Sequence, residues 1–312
     1  MLRIEKYTLA YKVPWDQFID NSKNGIFLFN RDYMEYHSDR FTDHSLLFYD
    51  GQELVAVLPA NIKDDTLYSH AGLTFGGIIS NNKMKIHSML ETFSALKEYL
   101  KRGDFKKVIY KAIPHIYHTI PAEEDLYTLF LNDIKLIKRD LSTTIFMEKN
   151  AGFSERRKRC LRKCKMNGLK VTRSYDYKTF TAILEKILKE KHMLKPTHTA
   201  GELELLANRF PENIKLFISH HKDNMTAGVI IYESRNVAHA QYIASTNEGK
   251  KISALDLVFD YLINEYYAEK KYFDFGISTE KSGFYLNSGL VAFKEEFGAR
   301  TIVYDTYEMD IK

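Results

Sequence analysis

Cysteine is scarce: the 312 residues hold two, Cys160 and Cys164. That excludes a disulfide framework and fits reduced thiols. The two stand four positions apart, and no nearby histidine or second cysteine pair completes a zinc set, so no metal site is expected. His115 and His118 likewise lack an acidic partner nearby in sequence. No apolar run is long enough to span a bilayer, and the opening Met1-Leu-Arg-Ile-Glu5 lacks the hydrophobic stretch of a signal peptide. A cytoplasmic address is the expectation. The serine-hydrolase elbow Gly-x-Ser-x-Gly is missing. Gly72, Gly76 and Gly77 have the wrong spacing for a dinucleotide fingerprint, and no P-loop lysine accompanies them.

What is present describes an ordinary globular chain, 45% hydrophobic and 28% charged, long enough for two domains of about 150 residues each. The net charge of +4 is modest, but its distribution is uneven. Arg156, Arg157, Lys158, Arg159, Arg162, Lys163 and Lys165 crowd into one predicted helix. The 21 tyrosines and 20 phenylalanines are spread along the chain, which suits core and pocket walls better than a base-stacking platform.

The same order of elements is readable twice. In the first half, predicted strands 45–49 and 53–59 meet at Asp50-Gly51, a hairpin signal, and strands follow at 66–69 and 73–79. An amphipathic helix (84–101), a strand (107–113), a helix (123–131) and a strand (135–144) complete that half. In the second half, strands 214–219, 226–232 and 237–244 precede a helix at 253–268. Helices at 153–166 and 180–191, and one opened by the capping box Thr199-Ala-Gly-Glu202, come before that second set. This places a border near residue 148, giving domains 1–148 and 149–312. Each half is a hairpin-led mixed sheet with helices on it, an α/β or α+β architecture.

The end of the chain carries the sharpest pattern. Tyr272-Phe-Asp-Phe-Gly-Ile-Ser278 alternates with period two and stops at glycine and serine. In Gly289-Leu-Val-Ala-Phe-Lys-Glu-Glu-Phe-Gly298, Leu290, Phe293 and Phe297 share one helical face and Gly298 is placed to end the helix; a strand at 301–309 follows. Such strand–helix–strand units bind small molecules at the carboxyl ends of their strands. With Phe293-Lys-Glu-Glu-Phe-Gly298 inside it, this arrangement resembles the C-terminal part of the FemAB-like branch of the GNAT acyltransferases. The basic helix running into Gly168-Leu-Lys-Val171 is similar to the same family. The resemblance implies two tandem GNAT-like domains, each a mixed, mostly antiparallel sheet flanked by helices.

It also implies acyl transfer, with acetyl-CoA or another acyl-CoA as cofactor. The matching donor loop is Ala244, Ser245, Thr246, Asn247, Gly249, Lys250 and Lys251, leading into a helix at Ser253, although only one glycine of the family pattern survives. The bland reading of this stretch is a solvated loop before a helix. His70 and Asp274 are candidate general bases, and Tyr285 a candidate proton donor to the departing thiolate. Gly276, Ser278, Asn287 and Lys294 are expected to touch substrate. Gly72 and Thr74 either line a ligand or belong to a bulge. Tyr36, His37, Asp39 and Arg40 read either as a substrate loop or as a surface turn with local Asp–Arg pairing.

The expected activity is N-acyl transfer from acyl-CoA to a small-molecule amine, in the simplest case an amino sugar of a surface polysaccharide pathway. The alternative is a transferase that draws on aminoacyl-tRNA and adds amino acids to a cell-wall precursor, with the basic helix meeting tRNA phosphates. A non-catalytic binding module is a third reading. Oligomeric state has no signature in the sequence.

Overall fold

The computed structural model describes residues 2–166, 168–192 and 194–311. The chain forms two compact units. One comprises Met1–Asp140, Glu280–Tyr285 and Val303–Lys312, the other Leu141–Thr279 and Leu286–Ile302.

In the first unit, β1 (Leu2–Lys6), β2 (Leu46–Asp50), β3 (Glu53–Leu58) and the short Ile79–Ser80 form one sheet in that order, its neighbours antiparallel. β2 and β3 join where expected: Gly51 takes the left-handed φ of +58° that the Asp50-Gly51 turn requires. A second set of strands includes β4 (Thr66–Tyr68) and β5 (Lys107–Lys111), which run parallel, and β5 pairs on its other side with residues 306–310 of the last strand. Helix α1 (Ile86–Arg102) turns Met89, Phe93, Leu96 and Leu100 toward Phe48, Leu58, Val108 and Tyr110. Helix α2 (Glu124–Leu131) adds Leu129 to the same core.

One expected strand is not formed. Residues 73–78 are irregular, and only Ile79–Ser80 pairs. Gly76 lies so close to the preceding strand end that a Cβ would sit 2.1 Å from the Ser69 carbonyl oxygen, and Gly77 has φ +86°. Neither fits an extended, side-chain-bearing strand.

The second unit is built on β6 (Lys135–Phe146, from Leu141 on), β7 (Lys170–Ser174), β8 (Ile214–His221), β9 (Asn224–Glu233), β10 (Val237–Ser245) and β11 (Tyr272–Ile277). Their order is β7-β8-β9-β10-β11-β6. All neighbours are antiparallel except β10 and β11. Helices α3 (Glu155–Met166), α4 (Tyr177–His192) and α5 (Ala200–Arg209) precede the hairpin β8–β9, and the Thr199–Glu202 capping box opens α5. After β10 come the short helix α6 (Asn247–Lys251), α7 (Ala254–Tyr261) and, beyond β11, α8 (Ser288–Glu295). The expected long helix at 253–268 is interrupted: α7 stops at Tyr261 and Leu262–Tyr266 makes a π turn. Val258, Phe259 and Leu262 meet Ala238, Ala240, Phe273, Phe275 and Phe297 in one buried cluster.

Candidate active site at the parting of two parallel strands

β10 and β11 pair over three rungs only: Val237 with Tyr272, Ala238 with Phe273, His239 with Asp274. β10 then continues to Ser245 while still paired with β9, and β11 continues to Ile277. Two local irregularities accompany the separation. β10 carries an extra residue where its register against β9 shifts, between Ala240 and Tyr242. β11 bends at Gly276, whose φ is +75°, and its register against β6 shifts between Asp274 and Ile277. Beyond the third rung, the facing edges of the two strands have no strand partner. Such edges accept an extended, amide-bearing chain.

Period two decides which side chains face which way. Ala238, Ala240, Phe273 and Phe275 go into the core beneath α7, so His239 and Asp274 lie on the other face. Asp274 is fully buried. Its Oδ1 accepts from Ser142 Oγ (2.8 Å) and Thr144 Oγ1 (2.7 Å), and its Oδ2 lies 2.6 Å from His239 Nδ1. Sequence reasoning had Asp274 but missed His239. The histidine is flanked by alanines in β10, and only the parallel register with β11 puts it opposite an aspartate.

Lys294, on α8, fastens the parted end of β11. Its buried ammonium donates to Gly276 O (2.7 Å), Ile277 O (2.9 Å) and Ser278 Oγ (2.8 Å). Burial pushes its pKa down to about 8, against a smaller upward pull from Asp274. Ser278 is further tied by its N–H to Leu141 O, and Asn287 N–H returns to Ser278 O. The Asn287 side chain caps α8 by accepting from Leu290 N–H.

The loop after β10 is tightly seated. Thr246 caps α6, its Oγ1 accepting from Gly249 N–H at 3.0 Å. A Cβ on Gly249 would lie 2.1 Å from Thr226 O, so packing against β9 by itself requires glycine there. Ser245 is buried and its Oγ donates to Thr226 O; Ala244 is buried beside it. Lys250 and Lys251 are outermost, with Lys250 Nζ 3.3 Å from Asn247 Oδ1. Ser253 enters α7 with a left-handed φ of +60°.

The basic helix α3 lies against this loop. Lys163 Nζ donates to Lys251 O, and the Cys164 thiol donates to the carbonyls of Ile252 and Ser253. Burial pushes that thiol up to about 12, so Cys164 is a packed, unreactive group. Arg157 turns inward instead: it pairs with Asp256 at 2.9 Å and Glu296 at 2.8 Å, over the rings of Phe293 and Phe297. Arg159, Arg162, Lys163, Lys250 and Lys251 form no ion pair among the described residues.

The remaining candidates fall in the first unit. His70 is buried with φ +57°, and desolvation pushes its pKa down to about 3, so it is neutral. Its ring lies 5.3 Å from that of His37, which stacks on Tyr36 at 4.2 Å. Gly72 leaves room for His37: a Cβ there would be 2.4 Å from His37 Nε2. Thr74 is exposed. Arg40 lies over the Tyr36 ring and 3.7 Å from Asp39, the local pairing of a turn. Tyr285 is half exposed, with Lys281 Nζ 5.4 Å from its ring centre.

Residues 153–285 match the profile of the acetyltransferase (GNAT) domain. No curated protein sequence matches the chain. Among solved structures, FemX aligns over 98% of this chain and 97% of its own, with a TM-score of 0.68 and 15% identity. L-PGS from Bacillus licheniformis aligns over 97% and 92%, with a TM-score of 0.62 and 12% identity. A tandem GNAT protein from the clavulanic acid biosynthesis pathway aligns over 100% and 99%, with a TM-score of 0.55 and 10% identity. At these identities the likeness is one of fold, and it extends over the whole chain. The domain match gives residues 153–285 as a GNAT acetyltransferase domain, and over its whole length the chain shares the fold of these neighbours, a tandem GNAT protein among them.

Proposed function

We propose that the protein transfers an acyl group from an acyl-CoA thioester to an amine, with the donor's amide-bearing pantetheine arm lying between the parted ends of β10 and β11. The observation that supports this reading is the three-rung pairing of those strands, which leaves two facing ladder edges without partners. A pantetheine arm has two amides and a thioester along an extended chain, so it can add to such edges as a short strand would. Lys250 and Lys251, outermost on the following loop, supply positive charge for the phosphates of CoA. The acceptor must present a neutral amine, and an amino sugar meets that requirement. Calorimetry with acetyl-CoA and with longer acyl-CoAs tests the donor: saturable binding by at least one is expected, and no binding by any removes it.

A second reading is favoured by a different observation. Arg159, Arg162 and Lys163 lie on α3, which meets the donor loop through the Lys163–Lys251 contact, and with Lys250 and Lys251 they make five cations that form no salt bridge among the described residues. That surface suits a polyanionic carrier, and aminoacyl-tRNA would then be the donor. Gel shifts with tRNA at low and high salt separate the two: salt-sensitive binding supports the RNA carrier, and absence of binding at low salt ends it.

A further inference from the structure

We infer that His239 is the general base of the acyl transfer and that Asp274 is the residue that positions it. This rests on the acyl-transfer reading above. The pair occupies the last rung before β10 and β11 separate, so it stands at the closed end of the opening. Asp274 is fully buried and offers only acceptors. Ser142 Oγ and Thr144 Oγ1 donate to its Oδ1, which leaves Oδ2 for His239 Nδ1 at 2.6 Å. A carboxylate there fixes the imidazole with its proton on Nδ1 and its lone pair on Nε2. Among the described residues nothing bonds Nε2, and 12% of the side chain stays exposed. The ring therefore has one nitrogen anchored and one available. Gly276 keeps the ring's edge open: a Cβ at that position would sit 3.3 Å from the His239 ring carbon Cε1.

In the reaction, the amine nitrogen attacks the acyl carbonyl carbon and a C–N bond forms. The nitrogen's proton passes to His239 Nε2, giving an imidazolium whose Nδ1–H still faces Asp274. The bond from the carbonyl carbon to the donor's sulfur then breaks, and the sulfur leaves with the electron pair and takes up that same proton from the imidazolium, which returns His239 to its neutral form. An aminoacyl ester follows the same course with oxygen as the leaving atom. The charged groups around the imidazole are the Asp274 carboxylate on β11 and, through Asp274, the Lys294 ammonium on α8; β6 contributes the two hydroxyls. An imidazolium formed beside an anchored carboxylate is stabilised where it forms.

Three measurements on the full chain test this. With acetyl-CoA as donor and a panel of amines, His239→Gln should bind donor as the wild type does while turnover falls about 10²–10⁴-fold. The acidic limb of the pH–rate profile should disappear with it. Asp274→Asn keeps the shape but presents an amide N–H to Nδ1, so nitrogen-15 spectra should show the His239 proton moved to Nε2, with a comparable loss of turnover. The third readout needs no substrate. Diethyl pyrocarbonate should label His239 at Nε2 alongside the exposed His87 and His115. His239→Gln turning over within threefold of wild type with an unchanged pH profile would overturn the assignment while leaving the donor site standing. Failure of His239 to react while His87 and His115 do, or a wild-type proton on Nε2, overturns it too. If no acyl-CoA binds at all, the donor reading falls, and the labelling and the tautomer still decide His239.

Discussion

Replacing Lys294 by methionine should change how stability depends on pH, by an amount set by the ammonium's surroundings. The group is 2% exposed and its three hydrogen bonds go to Gly276 O, Ile277 O and Ser278 Oγ, none of them charged. Burial lowers its pKa from 10.5 to about 8. The unfolded chain keeps this proton up to about pH 10.4, whereas the folded chain releases it near 8. Between those values the unfolded state binds more protons, so folding stability rises with pH. One pKa unit is worth about 1.4 kcal/mol, so the group contributes a rise of roughly 2–3 kcal/mol between pH 7 and pH 10. Lys294→Met lacks that rise, and every other titration is shared by both proteins. Near neutrality, loss of the hydrogen bonds and loss of the desolvated charge largely offset one another. The trend with pH is therefore the informative quantity. Urea unfolding of both proteins at pH 7, 8.5 and 10 should show the wild type gaining on the variant by roughly 2–3 kcal/mol across the range. A gap that stays flat to within about 0.5 kcal/mol would refute the buried, carbonyl-held ammonium.

Two further outcomes follow from the same geometry. His70 is held neutral in the fold, so acidification through its ordinary range charges the unfolded chain first; between pH 6.5 and pH 4 the wild type should lose roughly 3 kcal/mol more stability than His70→Gln, as urea unfolding at those pH values would show. Arg157→Met leaves the Asp256 carboxylate buried without its cation and should lower stability by about 3–5 kcal/mol in urea unfolding, and a loss under about 1 kcal/mol would mean the ion pair is dispensable.

The parts of this fold legible in the sequence are those whose local chemistry permits one conformation. Asp50-Gly51 turns because Gly51 supplies a positive φ, and Thr199 and Glu202 cap each other over one helical turn. Phe297 is fully buried and Gly298 ends its helix with φ +94°, as the spacing in Phe293–Gly298 requires. The illegible parts depend on residues distant in sequence. The stretch at 73–78 has strand-like hydrophobics, but close approach to Ser69 and the conformation of Gly77 decide it. His239 gains a meaning only through its rung with Asp274, thirty-five positions later, and Ser142 and Thr144 only through theirs. Gly249 stands in the expected donor loop, but what requires glycine there is the Thr226 carbonyl packed against it.

Amide hydrogen exchange with and without saturating acyl-CoA tests most directly whether the separated strands receive the donor. Residues 240–245 of β10 and 275–277 of β11 should become protected on binding, while β7 and β8, at the other end of the same sheet order, stay unchanged. Binding that leaves those two segments exchanging as before, with protection elsewhere, would contradict the account.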